Sequence, residues 1–377
     1  MLTKLIVENF KSFSKKTQIN VTATGYEILS KINKTDDNIL KGLLFVGANA
    51  TGKSTILEIM KFILDFIVLD VKIDFNRYIS LINIKPVKIE YHFKFNDKNV
   101  CFFIEFSPKG IRKEILKIDN NIIIDRNSKI TKYYRKDGSI TEIQNISNDQ
   151  SVLRSIYFDT KFSEYECLQQ FMKFLENSAY INQDFKQILV NENINYFNNY
   201  FEANGTNKIN KFLEKMEYFQ EVKFSDEIKT DKYSMKFTDN LNNASKQIIF
   251  KRKDSNLELP YKYESSGNQT LVHILPIVIK TLETPSMLII DEFSSSLHNI
   301  LEEKIIKLFM TESSRSQLFV VSHSTNLLTN LIYRPDQIYT VDYDNEIGSV
   351  IDRVSNHKPR EAQNLEKMYL SGVFNGI

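Results

Sequence analysis

Gly47-Ala48-Asn49-Ala50-Thr51-Gly52-Lys53-Ser54 decides how this chain reads. It fits G-x-x-x-x-G-K-[ST], the P-loop pattern. Before it runs Gly42-Leu43-Leu44-Phe45-Val46, a short apolar stretch with the character of a buried strand. After it, Thr55-Ile56-Leu57-Glu58-Ile59-Met60-Lys61-Phe62-Ile63-Leu64 reads as a helix with one apolar face. The pattern carries chemistry only between a strand and a helix, and this sequence supplies both. Its glycines let the backbone bend tightly round a phosphate and aim N–H groups inward. The helix N-terminus adds partial positive charge. In such a loop Lys53 reaches the β- and γ-phosphates, and the Ser54 hydroxyl is a ligand for Mg²⁺.

The 377 residues suffice for two modest domains or one large one with insertions. Hydrophobic content of 42% and charged content of 25% fit a soluble globular fold. The net charge of +2 neither demands nor excludes a nucleic-acid partner. The 2 cysteines, Cys101 and Cys167, are too few for a disulfide framework or a zinc site, and suit a reducing cytoplasm. The opening Met1-Leu2-Thr3-Lys4-Leu5-Ile6-Val7-Glu8 lacks the apolar core of a signal peptide. No apolar run approaches the roughly 20 residues that span a bilayer, so no membrane role is expected.

Along the chain, residues 1–24 read as strand, turn and strand. Residues 86–146 alternate in short β runs broken by Asn96-Asp97-Lys98-Asn99, Asp119-Asn120-Asn121 and Lys136-Asp137-Gly138, the pattern of an antiparallel meander. Residues 161–220 turn helical, with Phe162, Tyr165, Leu168, Phe171 and Leu175 at helical spacing. Asn191 to Asn210 is polar and reads as a loop or weak helix join. Residues 222–263 return to strands. From Gly267 to Arg353 helix and strand alternate, the mark of a parallel α/β layer. The expectation is an α/β fold split in sequence: an N-terminal part of the head over 1–160, a helical insertion over 161–220 and a C-terminal part over 221–377.

Ser286-Met287-Leu288-Ile289-Ile290-Asp291-Glu292 is an apolar strand ending in two acids, the Walker B arrangement. It delivers Asp291 to the metal opposite Ser54 and leaves Glu292 to orient or deprotonate the attacking water. Just upstream, Glu264-Ser265-Ser266-Gly267 opens a helix, and serine with glycine at a helix start suits an anion. Pro276 falls inside that helix and should kink or shorten it. Beyond Walker B, Ser294-Ser295-Ser296-Leu297-His298 forms a serine-rich loop. Gln317-Leu318-Phe319-Val320-Val321-Ser322-His323 is a strand ending in a histidine, placed to meet a γ-phosphate.

That order of motifs resembles the ABC-type ATPase heads, which include transporter ATPases, the SMC and RecF branch and the overcoming-lysogenisation-defect ATPases. Asn9-Phe10-Lys11-Ser12-Phe13 is similar to the "NFKSF" opening of the SMC/RecF branch. Glu264-Ser265-Ser266-Gly267 departs from the transporter form LSGGQ and looks like the "ESSG" version in small prokaryotic AAA-family ATPases of abortive infection and phage defence. Leu365-Glu366-Lys367-Met368-Tyr369-Leu370-Ser371-Gly372-Val373-Phe374-Asn375-Gly376-Ile377 resembles their "NLEKxYLSGRFGAIP" tail, with Val373 at the family's arginine and the Ala-Ile-Pro ending reduced to Ile377. The resemblance covers both ends and the core, not residues 70–260.

The resemblance implies an ABC-ATPase head: a P-loop parallel sheet, an antiparallel β subdomain and a helical insertion. It implies ATP and Mg²⁺ as cofactors, held by Gly47, Asn49, Gly52, Lys53, Ser54 and Thr55, with Asp291 at the metal. Glu292 would be the general base and His323 the γ-phosphate sensor. Ser265 and Gly267 would act in trans on ATP held by a second subunit, so a homodimer or larger assembly is expected. A glutamine loop should also meet Mg²⁺, and Gln144 and Gln150 are both candidates.

Three functions compete: the ATPase subunit of a phage-defence system with a separate toxin or nuclease effector, a RecF-like DNA-repair clamp, and a self-contained nuclease. Asp342-Tyr343-Asp344 superficially fits the Asp-x-Asp of a TOPRIM nuclease, but roughly fifty residues after His323 leave no room for that domain. These acids read as a turn between strands. DNA contact would fall on Arg126, Lys129, Lys132, Arg135 and Lys136 with Tyr133 and Tyr134, or on Lys251-Arg252-Lys253.

Overall fold

The apolar run Gly42–Val46 lies inside a seven-stranded sheet in the computed structural model of the chain. The structure describes residues 1–69, 71–127, 130–144, 146–182, 187–189, 196–229, 234–238, 245–255, 257–295, 297–374 and 376. The sheet order is Gln187–Leu189, Ala179–Asn182, Met287–Asp291, Gln317–Val321, Gly42–Val46, Ile338–Asp344, Gly348–Arg353. The five middle strands run parallel and the two edge strands run antiparallel. Every residue of Gly42–Val46, Met287–Asp291 and Gln317–Val321 is buried, because helices or a second sheet cover both faces. The parallel strands therefore deliver Gly47, Glu292 and Ser322-His323 to one common edge, where ligands bind in open α/β sheets. Gly42 has φ +152° and a Cβ there would fall 1.9 Å from the Leu318 carbonyl oxygen, so only glycine lets these two strands pair.

The helix Lys53–Ile63 lies between this sheet and a second one. The second sheet has eight antiparallel strands, in the order Thr17–Asn20, Leu2–Glu8, Val87–Phe95, Lys98–Ser107, Gly110–Ile118, Asn121–Asn127, Thr131–Tyr134, Ile140–Ile143. Burial alternates strictly along Val87–Phe95, so one face meets the core and the other is partly open to solvent. Tyr91 donates its hydroxyl to the Ile59 carbonyl at 2.5 Å, and Phe62 stacks on Phe106 with centroids 5.2 Å apart. The expected meander is thus present, and the strands of residues 1–20 extend it.

The region 161–220 is less helical than expected. Helices occupy Glu166–Glu176, Tyr196–Asn204 and Asn207–Lys215, but Ala179–Asn182 is a strand paired in parallel with Met287–Asp291. Four residues are too few to show a period, and this pairing is wholly long-range. Phe162 has φ +47° and belongs to the turn between two helices, although it is fully buried. The helix Ser266–Glu283 passes through Pro276 without being shortened. Burial of Leu271, Val272, Ile274, Leu275, Ile277 and Val278 offsets the hydrogen bond that proline cannot make. A three-stranded sheet (Gln220–Ser225, Gln247–Arg252, Glu258–Pro260) and a two-stranded one (Glu227–Lys229, Ser234–Lys236) account for the strands expected after residue 222.

Asp342 and Asp344 sit at the end of one strand, and Asp344 accepts the N–H groups of Glu346 and Ile347 at 2.8 and 3.0 Å, closing the turn to Gly348–Arg353. In the tail, Leu365–Leu370 is a helix with Leu365, Tyr369 and Phe374 buried and Val373 46% exposed. Asn375 and Ile377 lie outside the described residues. No described helix is long and apolar enough to cross a membrane.

Candidate nucleotide site

The glycines of the loop stand where a side chain has no room. A Cβ on Gly47 (φ +158°) would lie 2.2 Å from the Val341 carbonyl oxygen. One on Gly52 (φ +109°) would lie 2.2 Å from Ser349 Oγ, with Ser12 Oγ also close. Ser349 Oγ donates to the Thr51 carbonyl at 2.6 Å and accepts from the Ser12 hydroxyl at 2.6 Å. Lys11 pairs with Glu58 on the helix that follows the loop. The Asn9–Phe13 turn is thus a buttress for the loop, a physical reason for its place at the start of such a sequence.

Lys53 begins the helix, and its Nζ donates to the carbonyls of Gly47 and Ala48 at 2.9 and 2.6 Å, so the ammonium lies within the curve of the loop. Burial lowers its pKa, while the carboxylates of Glu292 and Asp291 pull it back up. Ser54 Oγ donates to Asp291 Oδ1 at 3.1 Å. Thr55 is half-buried one residue further on, and Asn49 is exposed at the tip of the loop. Ser54 of the P-loop and Asp291 at the end of the Walker B strand are thus brought into contact.

Asp291 is 2% exposed. Its second oxygen faces Tyr180 Oη at 3.4 Å and Asn182 Nδ2 at 3.2 Å. Sequence reasoning missed both residues. They come from the short strand of the insertion, and only its pairing, which sets Asn182 opposite Asp291, reveals them. Among the described residues no lysine, arginine or histidine forms an ion pair with Asp291. A hydroxyl and a buried carboxylate without a direct ion pair are hard oxygen donors, and this set fits Mg²⁺.

Burial raises Asp291 to about 6; the Ser54 and Tyr180 hydroxyls pull it down and the charge of Glu292 pushes it further up. The folded value lies above the ordinary 3.8, so in that window the folded protein holds more protons than the unfolded chain. Stability from this group is therefore lost as pH rises from about 3.8 to about 6. Asp291→Asn should stabilise the metal-free protein by up to about 3 kcal/mol at pH 7.5 and by little at pH 4. Thermal melts in chelator at the two pH values check this. Equal shifts at both would show that charge burial is not the cause.

Glu292 has φ +54°, a left-handed conformation uncommon for a side-chain-bearing residue. Its Oε2 lies 3.2 Å from His323 Nε2. The imidazole is 43% exposed, and the His323 N–H donates to Ser294 Oγ at 3.1 Å. Ser296, in the same serine-rich loop, lies outside the described residues. The edge of the sheet thus gathers a glycine loop, an ammonium, a hydroxyl–carboxylate pair and a carboxylate–imidazole pair.

Ser265 caps the helix Ser266–Glu283 and is exposed, with its Oγ accepting the Asn268 N–H at 3.4 Å. Among the described residues no hydrogen bond or ion pair joins Ser265 or Gly267 to Lys53, Ser54, Asp291 or Glu292. Partial burial pushes Glu264 up, but hydrogen bonds from the Ser265 N–H, Gln220 and Asn268 outweigh it and hold the carboxyl below its usual range. Among the described residues no hydrogen bond joins Gln144 or Gln150, the candidates for the glutamine loop, to Lys53, Ser54, Asp291 or Glu292. Gln144 follows the outermost strand of the eight-stranded sheet, and Gln150 offers its carbonyl to Arg126; both are exposed.

The basic stretch around Tyr133 is not the exposed track its composition suggests. Arg126 is 3% exposed and lies 3.5 Å from the buried Glu114. It also donates to the carbonyls of Gln150 and Ser147 at 2.7 and 2.8 Å. Tyr133 is buried, and Arg135 pairs with Glu164 at 3.3 Å. Lys132 is half-buried, Lys136 is exposed, and Lys129 lies outside the described residues. The second cluster, Lys251-Arg252-Lys253, runs from half-buried Lys251 to exposed Arg252 and Lys253.

The fold is that of an SMC head. The chain is similar to the SMC head domain from Thermotoga maritima at 14% identity, over 93% of this chain and 98% of that one, with a TM-score of 0.50. It is similar to an SmcHead bound to the C-winged helix domain of ScpA at 14% identity, over 94% and 99%, with a TM-score of 0.51. It is also similar to an Smc head domain with an extended coiled coil bound to the C-terminal domain of ScpA, derived from Pyrococcus furiosus. There identity is 11%, coverage 95% and 97%, and the TM-score 0.50. No curated protein matches the sequence. Residues 43–329, from the P-loop strand to just past His323, match the family described as "AAA domain, putative AbiEii toxin, Type IV TA system". The chain belongs to that family.

Proposed function

We propose that this chain binds ATP with Mg²⁺ on the Gly47–Ser54 loop and hydrolyses it between two copies of itself. The observation that carries the reading is the convergence of Ser54 with Asp291 and of Glu292 with His323 beside that loop. Gly47, Asn49, Gly52, Lys53, Ser54 and Thr55 surround the phosphates. Lys53 gives up its two loop carbonyls to a phosphate charge. Ser54 and Asp291 hold Mg²⁺, which when bound neutralises charge on the β- and γ-phosphates. Tyr180 and Asn182 fix the Asp291 carboxylate. Glu292 takes a proton from the attacking water, and His323 steadies both Glu292 and the γ-phosphate.

Ser265 and Gly267 serve the partner's nucleotide rather than the chain's own. The exposure of Ser265, and the absence of any bond from Ser265 or Gly267 to Lys53 among the described residues, support that division. Mixing two inactive variants tests it. Lys53→Ala cannot hold ATP, and Ser265→Arg cannot cap a partner's ATP. Each alone should be nearly silent, and the mixture should regain turnover, because a mixed dimer has one intact composite site. A silent mixture would remove the trans arrangement.

The biological setting we infer is antiphage defence by abortive infection in the cytoplasm, with a separate toxin or nuclease effector. The family description, which names an Abi-type toxin and a toxin–antitoxin system, favours it over a DNA-repair clamp. The burial of Arg126 and Tyr133 weakens the clamp reading, since it takes a cation and a ring out of the strongest basic patch. Two of the similar heads are described bound to domains of ScpA, which makes a protein partner a natural regulator.

A further inference from the structure

Glu302 is a fully buried carboxylate with no part in the chemistry above. It lies in the first turn of the helix Asn299–Glu312, which follows the serine-rich loop after Glu292. One of its oxygens accepts from Ser322 Oγ at 2.5 Å and the other from Ser324 Oγ at 2.6 Å. Ser322 Oγ also accepts the Ser324 N–H at 3.0 Å. These two serines flank His323. Tyr333, also fully buried, is the further titratable group that faces Glu302. Among the described residues no cation pairs with it. A buried acid without a cation is a poor way to fill a core, where an apolar side chain would stabilise more. Its hydrogen bonds go to one short segment, the one that carries the histidine.

The His323 ring itself is 43% exposed and gains little from packing. What fixes its backbone is the Ser294 bond from the loop after Glu292 and the pair of serine bonds to Glu302. We propose that Glu302 is a positioning residue: it clamps Ser322 and Ser324 and so holds the His323 imidazole against Glu292. The same clamp ties the helix that follows Glu292 to the strand that ends in His323, so the two halves of the carboxylate–imidazole pair stay in register.

This rests on His323 acting at the γ-phosphate as proposed above. The test compares Glu302→Ala, Glu302→Gln, His323→Ala and the double variant Glu302→Ala/His323→Ala for ATP affinity and turnover. Glu302→Ala should keep ATP affinity within about twofold and lose about tenfold in kcat, the scale of a misplaced catalytic group. Glu302→Gln, which can still bond both serines, should recover most of that loss. The double variant should be no slower than His323→Ala, because a clamp has no effect once its histidine is gone. Should Glu302→Ala fail to fold, Ser324→Ala, which removes one arm, replaces it in the same cycle. If the losses multiply, or if kcat is unchanged in Glu302→Ala, the clamp is wrong. If His323→Ala turns over like the wild type, the histidine's role falls first, and the clamp with it.

Discussion

Glu292→Gln is expected to lower ATP turnover by about 10²–10⁴-fold while leaving ATP affinity near that of the wild type. Glutamine keeps the size and planar shape of the side chain but cannot accept a proton from water. The surrounding geometry has no reason to move: Glu292 follows Asp291 at the strand end, and its partner is His323 at 3.2 Å. The groups proposed to bind phosphate keep their own contacts, since Lys53 bonds to the Gly47 and Ala48 carbonyls and not to Glu292. The two quantities to measure are phosphate release at saturating ATP and equilibrium binding of a fluorescent ATP analogue. Loss of both together would mean that Glu292 supports nucleotide binding rather than catalysis. Turnover within a fewfold of the wild type would mean that the base is another group.

Arg126→Ala is expected to cost about 3–5 kcal/mol of stability, because it leaves Glu114 buried without a counter-charge. Glu114 has no exposure. Burial pushes its pKa up, while N–H groups of Leu153 and Val152, the Ser151 hydroxyl and the Arg126 charge pull it back. Arg126 also satisfies the carbonyls of Gln150 and Ser147, which the alanine would strand. Chemical denaturation gives the stability, and binding of a labelled duplex at two salt concentrations gives any DNA affinity. The expected pair of results is a large loss of stability with unchanged DNA affinity and salt slope. Normal stability with weakened DNA binding would return this arginine to the surface and revive the clamp reading.

The parts of the site that were legible in the sequence are those whose chemistry is written in contiguous residues. Gly47–Ser54 fixes both a backbone shape and its charges within eight positions. Met287–Glu292 joins a continuous apolar run to two acids, and the run itself marks a strand buried on both faces. The parallel layer after Gly267 followed from its alternating pattern. What stayed hidden depends on pairing across the chain. Ala179–Asn182 is a four-residue strand in a helical neighbourhood, so nothing local marks Tyr180 and Asn182 as neighbours of Asp291. Arg126 lies in sequence among lysines and tyrosines, a composition that suggests surface. The strand Asn121–Asn127 has an irregular register against Gly110–Ile118, and Glu114 pairs directly with Arg126 across it. That pairing turns a charge usually found on a surface into part of the core. Pro276 does not end its helix, since a helix buried along most of its length tolerates one missing bond.

The central claim is a dimer of heads closed by nucleotide. Sedimentation of Glu292→Gln with and without ATP and Mg²⁺ tests it most directly, because blocked turnover should hold the closed state. The account predicts that ATP with Mg²⁺ raises the mass from one head to two, or doubles the size of a larger assembly's closed fraction, and that Ser265→Arg in the same background abolishes the change. Unchanged mass at ATP concentrations shown to saturate the site would contradict it.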